Sequence, residues 1–338
     1  MSQQSQRGQI GFRTQTAQGT YEADIETDGV FPPLRSGTLT AQRELLRTDP
    51  EIGGARGLTS ADYGTIVYQG ELEMYARLRS LATLMAAALG ASVSVDNGGW
   101  FTHTFTPAAI EDEHPWLSVE EAIGQSLEVS NHSDARVNTL HLESDVNGHL
   151  MVNVGLAAIS STAGNTRTDL RAAPDLVDIT PLFTGVQIDI SLDGANICAK
   201  NFSFDINNNM ELDDFCMGKT DVDTFTPKSL EVTAGMSYRP DDASLFRQAV
   251  WGSAAAAGPL TGPATTSDLV ITMTNTALIG GTTQPYALRI NIENSIIEPF
   301  TYEPSSDDII ESDFTMVALE RPGVDLVTIE IDNEAAIA

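Results

Sequence analysis

The 338-residue chain carries 47 Asp plus Glu against 18 Lys plus Arg, a formal net charge of −29, which excludes wrapping nucleic acid by phosphate neutralisation and opposes self-association in low salt. Its length allows two domains of ordinary size, each with its own core. No apolar run approaches a membrane span, and MSQQSQRGQIGF has no apolar signal core, so neither membrane insertion nor secretion through a signal peptide is expected.

From the N-terminus, residues 9–21 read as a polar extended arm, and Pro32 and Pro33 then block a helix or a central strand. A strand follows over 38–45, then a glycine-rich polar loop from Arg47 to Gly64, and a second strand over 65–73. Leu78, Leu81, Met85 and Leu89 recur at three and four residues, which predicts a helix with one apolar stripe, closed by Gly90. Next come a strand over 100–107, an acidic stretch with short strands at 115–119 and 127–129, and a meander over 136–159. The polar, proline-bearing segment 162–181 separates this half from the next.

In the second half Val186, Ile188, Ile190 and Leu192 alternate with polar residues, as do Leu288, Ile290 and Ile292, and Val327, Ile329 and Ile331. Such alternation predicts sheets with one dry and one wet face. Strands over 201–206 and 229–238 flank another long polar loop; a short helix follows with Asp241 as N-cap, Leu245, Ala249 and Val250 as its buried stripe, and Gly252 as its end. Strands over 268–276 and 296–319 complete the series. The plan of the first half thus returns, with the helix-ending glycines 162 residues apart and the meanders 160 apart. This predicts a mainly β protein of two tandem sandwich or barrel domains, each with one flanking helix: 1–161, a linker over 162–181, and 182–338. Two unrelated β-rich halves are the alternative.

No G-x-S-x-G, H-E-x-x-H, G-x-x-x-x-G-K-[ST] or C-x-x-C is present, so no catalytic residue, cofactor or enzyme activity is expected. His132, His141 and His149 have the spacing of successive meander strands, and with Glu143 and Asp145 they outline a weak metal-site pattern that is not adopted. Asp205, Asn207, Asn209 and Glu211 alternate as in a calcium loop, but Met210 stands where the turn needs glycine and Cys216 where a bidentate glutamate should be. Cys198 and Cys216 are expected to be free. Only three basic residues are lysines (Lys200, Lys219, Lys228), a balance suited to concentrated salt and hence to a halophilic host; acidity without that meaning is the other reading.

IGFRTQTAQGTY, the leading strand, the loop ending in DYG, GELEMYARLRSLATLMAAALG and FTHTFTP, in that order, resemble the tail tube proteins of long-tailed bacterial and archaeal viruses. The resemblance implies a structural virion protein, made in the host cytoplasm, whose sandwiches close into rings with a continuous β-barrel inside. The rings stack into a hollow tube around a tape measure protein, end at terminator and distal tail proteins, and later pass genomic DNA without binding it specifically. With two such domains per chain, three chains supply a pseudo-sixfold ring; six chains with the second domain outside are the alternative. Asp49, Glu51, Arg56, Asp62 and Tyr63 are the candidate inter-ring contacts, and Glu143, Asp189 and Glu330 the candidate acidic lumen face. A carbohydrate-binding or surface-layer module is the competing class; it would show aromatic platforms, and only Trp100, Trp116 and Trp251 are available.

Overall fold

Alternating apolar and polar residues govern most of the chain, and the protein is mainly β. The structure is a computed structural model describing residues 8–54, 57–109, 112–124, 128–164, 167–240, 242–302 and 311–337. The first half holds β1 (Gln9–Thr14), β2 (Leu34–Gly37), β3 (Thr40–Arg47), β4 (Ala61–Tyr75), β5 (Gly90–Asp96), β6 (Phe101–Pro107), β7 (Leu117–Ile123), β8 (Glu128–Asp145) and β9 (Met151–Ala163). The second holds β10 (Ile188–Leu192), β11 (Ala195–Asn196), β12 (Ala199–Asn207), β13 (Glu231–Tyr238), β14 (Ser267–Leu278), β15 (Pro285–Ile297), β16 (Ser312–Ala318) and β17 (Thr328–Asn333). The helices are α1 (Ile25–Asp28), α2 (Leu78–Leu89) and α3 (Ser244–Trp251).

The pairings between these strands are antiparallel, and the two halves repeat one neighbour order. The first runs β1, β7, β8, β9, β4, with β2 and β3 on the far edge of β4. The second runs β10, β14, β15, β16, β13, β12. The position of β14 is therefore matched by β7 and not by the strand at 100–107; β6 instead pairs with β5 and with β17.

Two long strands change partners along their length. In β8, Leu117 of β7 still pairs with Ala135, after which Thr139–Asp145 pair with Asn207–Asn201 of β12. In β15, Ala287–Asn291 pair with β17 and Ser295–Ile297 with β16. One sheet thus runs β2/β3, β4, β9, β8, β12, β13, β16, β15 through both halves, and a second runs β10, β14, β15, β17, β6, β5. Their dry faces share a core containing Phe12, Leu72, Val137, Leu140, Phe204, Met236, Ile271, Leu288 and Ile331.

α2 is buried on nearly all sides, not along one stripe. It packs against β1, β5, β6, β8 and β17, and its alanines, Ala86–Ala88, allow that enclosure. Gly90 ends it with a φ of 88°, which L side chains rarely adopt. α3 is a weaker element: Gln248 is its buried residue, Val250 is exposed, and Asp241 lies outside the described residues. Within the expected arm over 9–21, residues 9–14 are strand β1 and part of the fold. Ile10 and Phe12 of β1 are core residues, and Gly11 is required because the Phe31 ring lies 2.3 Å from where a Cβ would stand. Val186 is exposed in a 3₁₀ turn ahead of β10.

Candidate functional site

The wet face of the eight-stranded sheet spans both halves. Along β8, Leu140 and Leu142 point to the core, which sends His141, Glu143 and Asp145 outward; along β12, Phe204 and Ile206 point in and Ser203 and Asp205 out. A cross-strand row runs Tyr75, Met151, Glu143, Ser203, Gly235, Thr315. Around it lies a groove of about 580 Å³ lined by Glu143, Asp145, Asp313, Arg35 and His149 among others. Glu71, Glu73 and Asp205 sit on the same face, so its charge is chiefly negative; Arg35 is held by Glu73 at 2.8 Å.

Asp189 and Glu330 do not join Glu143. They belong to the second sheet, in the row Asp189, Thr272, Arg289, Glu330, Thr104, Val93, where Arg289 pairs with Glu330 at 3.1 Å. The three lumen candidates thus occupy two different sheets.

The seam between β8 and β12 carries a close side-chain pair that links the sheet's two halves on this face. His141 Nδ1 lies 2.5 Å from Asp205 Oδ1, and its Nε2 lies 3.5 Å from Glu143 Oε2. The hydrogen bond to Asp205 raises the imidazole pKa, against a desolvation that lowers it, with Glu143 adding to the rise. His132 and His141 both lie on β8, so the three histidines do not fall on successive strands; His132 is buried against Glu121 at 3.3 Å. The calcium-like alternation is also spent on structure: Asn207 Oδ1 accepts the Asn209 N–H, Glu211 pairs with Lys228, and Met210 is buried. Among the described residues no group of three metal-ligating side chains converges. Cys198 and Cys216 are exposed free thiols.

The two long loops behave differently. The second, between β12 and β13, folds back on the first half, where Met210, Val222 and Phe225 pack with Val67, Trp116, Ala157 and Ile159. Arg136 fastens it, stacking 3.5 Å from the Trp116 ring centroid and donating to the Phe225 carbonyl at 2.5 Å. Burial lowers the Arg136 pKa to about 10, with Glu113 and Asp134 opposing. Trp116 is thus a buried packing residue, not an aromatic platform.

The first loop is shorter than expected, because β4 begins at Ala61 and takes in Asp62 and Tyr63, which pair with Leu46 and Leu45. β3 and the start of β4 form a hairpin whose residues are exposed on both faces. Its turn is tied at the base, where the Ser60 N–H donates to Thr48 Oγ1 at 3.1 Å. Asp49 and Glu51 are exposed, Arg43 covers the Tyr63 ring at 4.2 Å, and Arg56 lies outside the described residues. Leu45, Leu46, Ile52, Leu58 and Tyr63 are all solvent-exposed on this arm. In the sequence the four aliphatic ones are masked by polar neighbours, although four large aliphatic side chains and a tyrosine on one solvated hairpin are the signal of a contact surface.

A family model described as "Phage tail tube protein" matches residues 5–318. No curated protein matches the chain. Among the described residues no helix is long and apolar enough to cross a membrane.

Proposed function

This chain belongs to the phage tail tube protein family, and from that premise we propose that it is the structural subunit of a hollow viral tail, closing into trimeric rings that stack and conduct the genome. The observation that carries the ring is the eight-stranded sheet. Pairing of β8 with β12 sets two similar four-stranded sheets side by side in one wall, and the outer edge of β2 and β3 has no strand neighbour among the described residues. Such an edge invites pairing, and closure removes it.

Three chains of eight strands give twenty-four. At about 4.8 Å per strand the wall is about 115 Å round and its backbone about 37 Å across, before strand tilt widens it. The repeated strand order supports reading the halves as duplicated tube domains, 1–161 and 182–338, joined by 162–181. The second sheet and α2 lie on the dry side of the wall, so its wet face, with Glu143, becomes the lumen, and Asp189 and Glu330 belong to the outer sheet. An acidic lumen repels phosphates, which lets DNA slide. The arm with Asp49, Glu51, Asp62 and Tyr63 reaches the next ring, and tape measure, terminator and distal tail proteins complete the tail.

Negative-stain microscopy of the purified chain, concentrated at high and low salt, tests this. Stacked rings whose averages contain three chains are expected. Single particles in every condition, or six-chain rings with the second half outside, would overturn the trimeric reading.

A further inference from the structure

Resting on the ring reading above, we propose that successive chains join through a copy of the internal β8–β12 seam: the free β2–β3 edge of one chain pairs antiparallel with residues 297–302 of a second copy, with Thr40 opposite Thr301 and Gln42 opposite Pro299. Three features of the molecule together set this register.

The first is where the hairpin partner stops. β7 covers β8 as far as Ala135, where Leu117 pairs with it, and β12 then takes the vacated edge from Thr139 onward. β14 covers β15 as far as Ser295, where Ser267 pairs with it. Beyond Ser295 that edge has no strand among the described residues. Counting equal steps from Ala135 and Ser295 makes Thr139 the counterpart of Pro299, and His141 that of Thr301.

The second is the path across the wall. Val137 pairs with Leu156 and Leu156 with Gly70; Ile297 pairs with Met316, Met316 with Ala234, and Ala234 with Phe204. One strand on from these rows, Gln69 pairs with Thr40 as Thr233 pairs with Asp205. Thr40 therefore stands where Asp205 stands. Since Asp205 faces His141 within the chain, Thr40 faces Thr301 between chains.

The third is side-chain alternation. Phe300 is buried as Leu140 is, Tyr302 is partly buried beside Tyr238 and Phe246, and Thr301 points outward as His141 does. Thr40 and Gln42 are exposed, as is the rest of β3. The external seam substitutes a Thr–Thr pair, favoured across strands, for the charged pair of the internal one. A chain edge covered in this way accounts for the exposure of residues 40–44 of β3 in the lone chain.

The test is disulfide trapping in the full chain with Cys198→Ser and Cys216→Ser, carrying Thr40→Cys and Thr301→Cys together. Directly opposed antiparallel residues have the Cα spacing a disulfide needs. Mild oxidation of the concentrated protein is expected to give a covalent ladder ending at three chains, while an out-of-register pair, Thr40→Cys with Thr315→Cys, stays monomeric on the gel. Gln42→Cys with Pro299→Cys repeats the test should the first pair fold poorly. Each sample is also imaged. Rings without a ladder in either pair would overturn this seam and leave the ring reading standing. A ladder without rings supports the seam and overturns the ring reading, and neither rings nor ladder overturns both.

Discussion

Asp178 is fully buried in a segment whose sequence looks like a solvated linker. Its Oδ2 accepts from the Ser80 N–H at 2.7 Å and from Ser80 Oγ at 2.5 Å, its Oδ1 accepts from the Thr180 N–H and hydroxyl, and the Leu78 N–H donates to Thr180 Oγ1. α2 opens at Arg77 without a cap of its own, so the linker supplies one from about a hundred residues away. A carboxylate there also meets the positive end of the helix dipole. Asp178→Ala should cost about 2 kcal/mol, read as a lowered denaturation midpoint; an unchanged midpoint would show that water replaces the cap. Sequence offered no sign of it, because capping motifs are recognised only between near neighbours. His141 gives a second prediction. Its folded pKa lies above the usual 6.5 because it donates to Asp205. Its contribution is therefore complete below about 6.5 and fades as pH rises through the folded value. Asp205→Asn should bring the imidazole titration, followed by NMR, back down and flatten that part of the stability profile; an unmoved titration would assign the shift to Glu143.

Elements were legible where a strand has one dry face. Leu288, Ile290 and Ile292, and Ile329 and Ile331, are buried as their alternation requires, and the 3.6-residue period placed α2. β5 went unread since Val93 and Val95 alternate but face solvent, and an edge strand of that kind owes its form to its partner β6. β1 went unread because its fixing contact, the Phe31 ring over Gly11, is tertiary. Residues 61–64 look like loop in the sequence because Ala61, Asp62 and Gly64 offer no apolar alternation, although residues 61–63 pair with β3. The hairpin arm's exposed apolar residues do little for the fold, so replacing residues 48–60, which follow the last pair Arg47–Ala61, by Asn-Gly, a turn suited to a two-residue hairpin, should leave the circular dichroism and melting temperature nearly unchanged. Rings should still form and fail to stack. Tubes of normal length from this variant would remove the arm from inter-ring contact, and Ile52→Ser with Leu58→Ser then tells whether apolar burial or hairpin length is responsible.

At the scale of the whole molecule, charge opposes both folding and assembly, but not equally. The net charge of −29 is spread over the lone chain, and the exposed ion pairs, such as Lys200 with Glu311 and Lys228 with Glu211, offset little of it. In the proposed ring, closure would go further, because it would bring Glu143, Asp145 and Asp313 of three chains to face one another across a lumen. Assembly should therefore need more salt than folding does. In a potassium chloride series the melting temperature is expected to rise and then level off as the Debye length falls from about 10 Å at 0.1 M to about 3 Å at 1 M, with ring formation, followed by sedimentation, setting in later along the series. Levelling off matters, since strengthened apolar burial at high salt would keep rising with concentration. Glu143→Gln with Asp145→Asn tests the geometry: these neutral variants should shift the ring threshold to lower salt and move the melting curve of the lone chain much less. Equal shifts in both would mean that the face carrying Glu143 is no more crowded in the assembly than in the single chain, and so does not line the lumen.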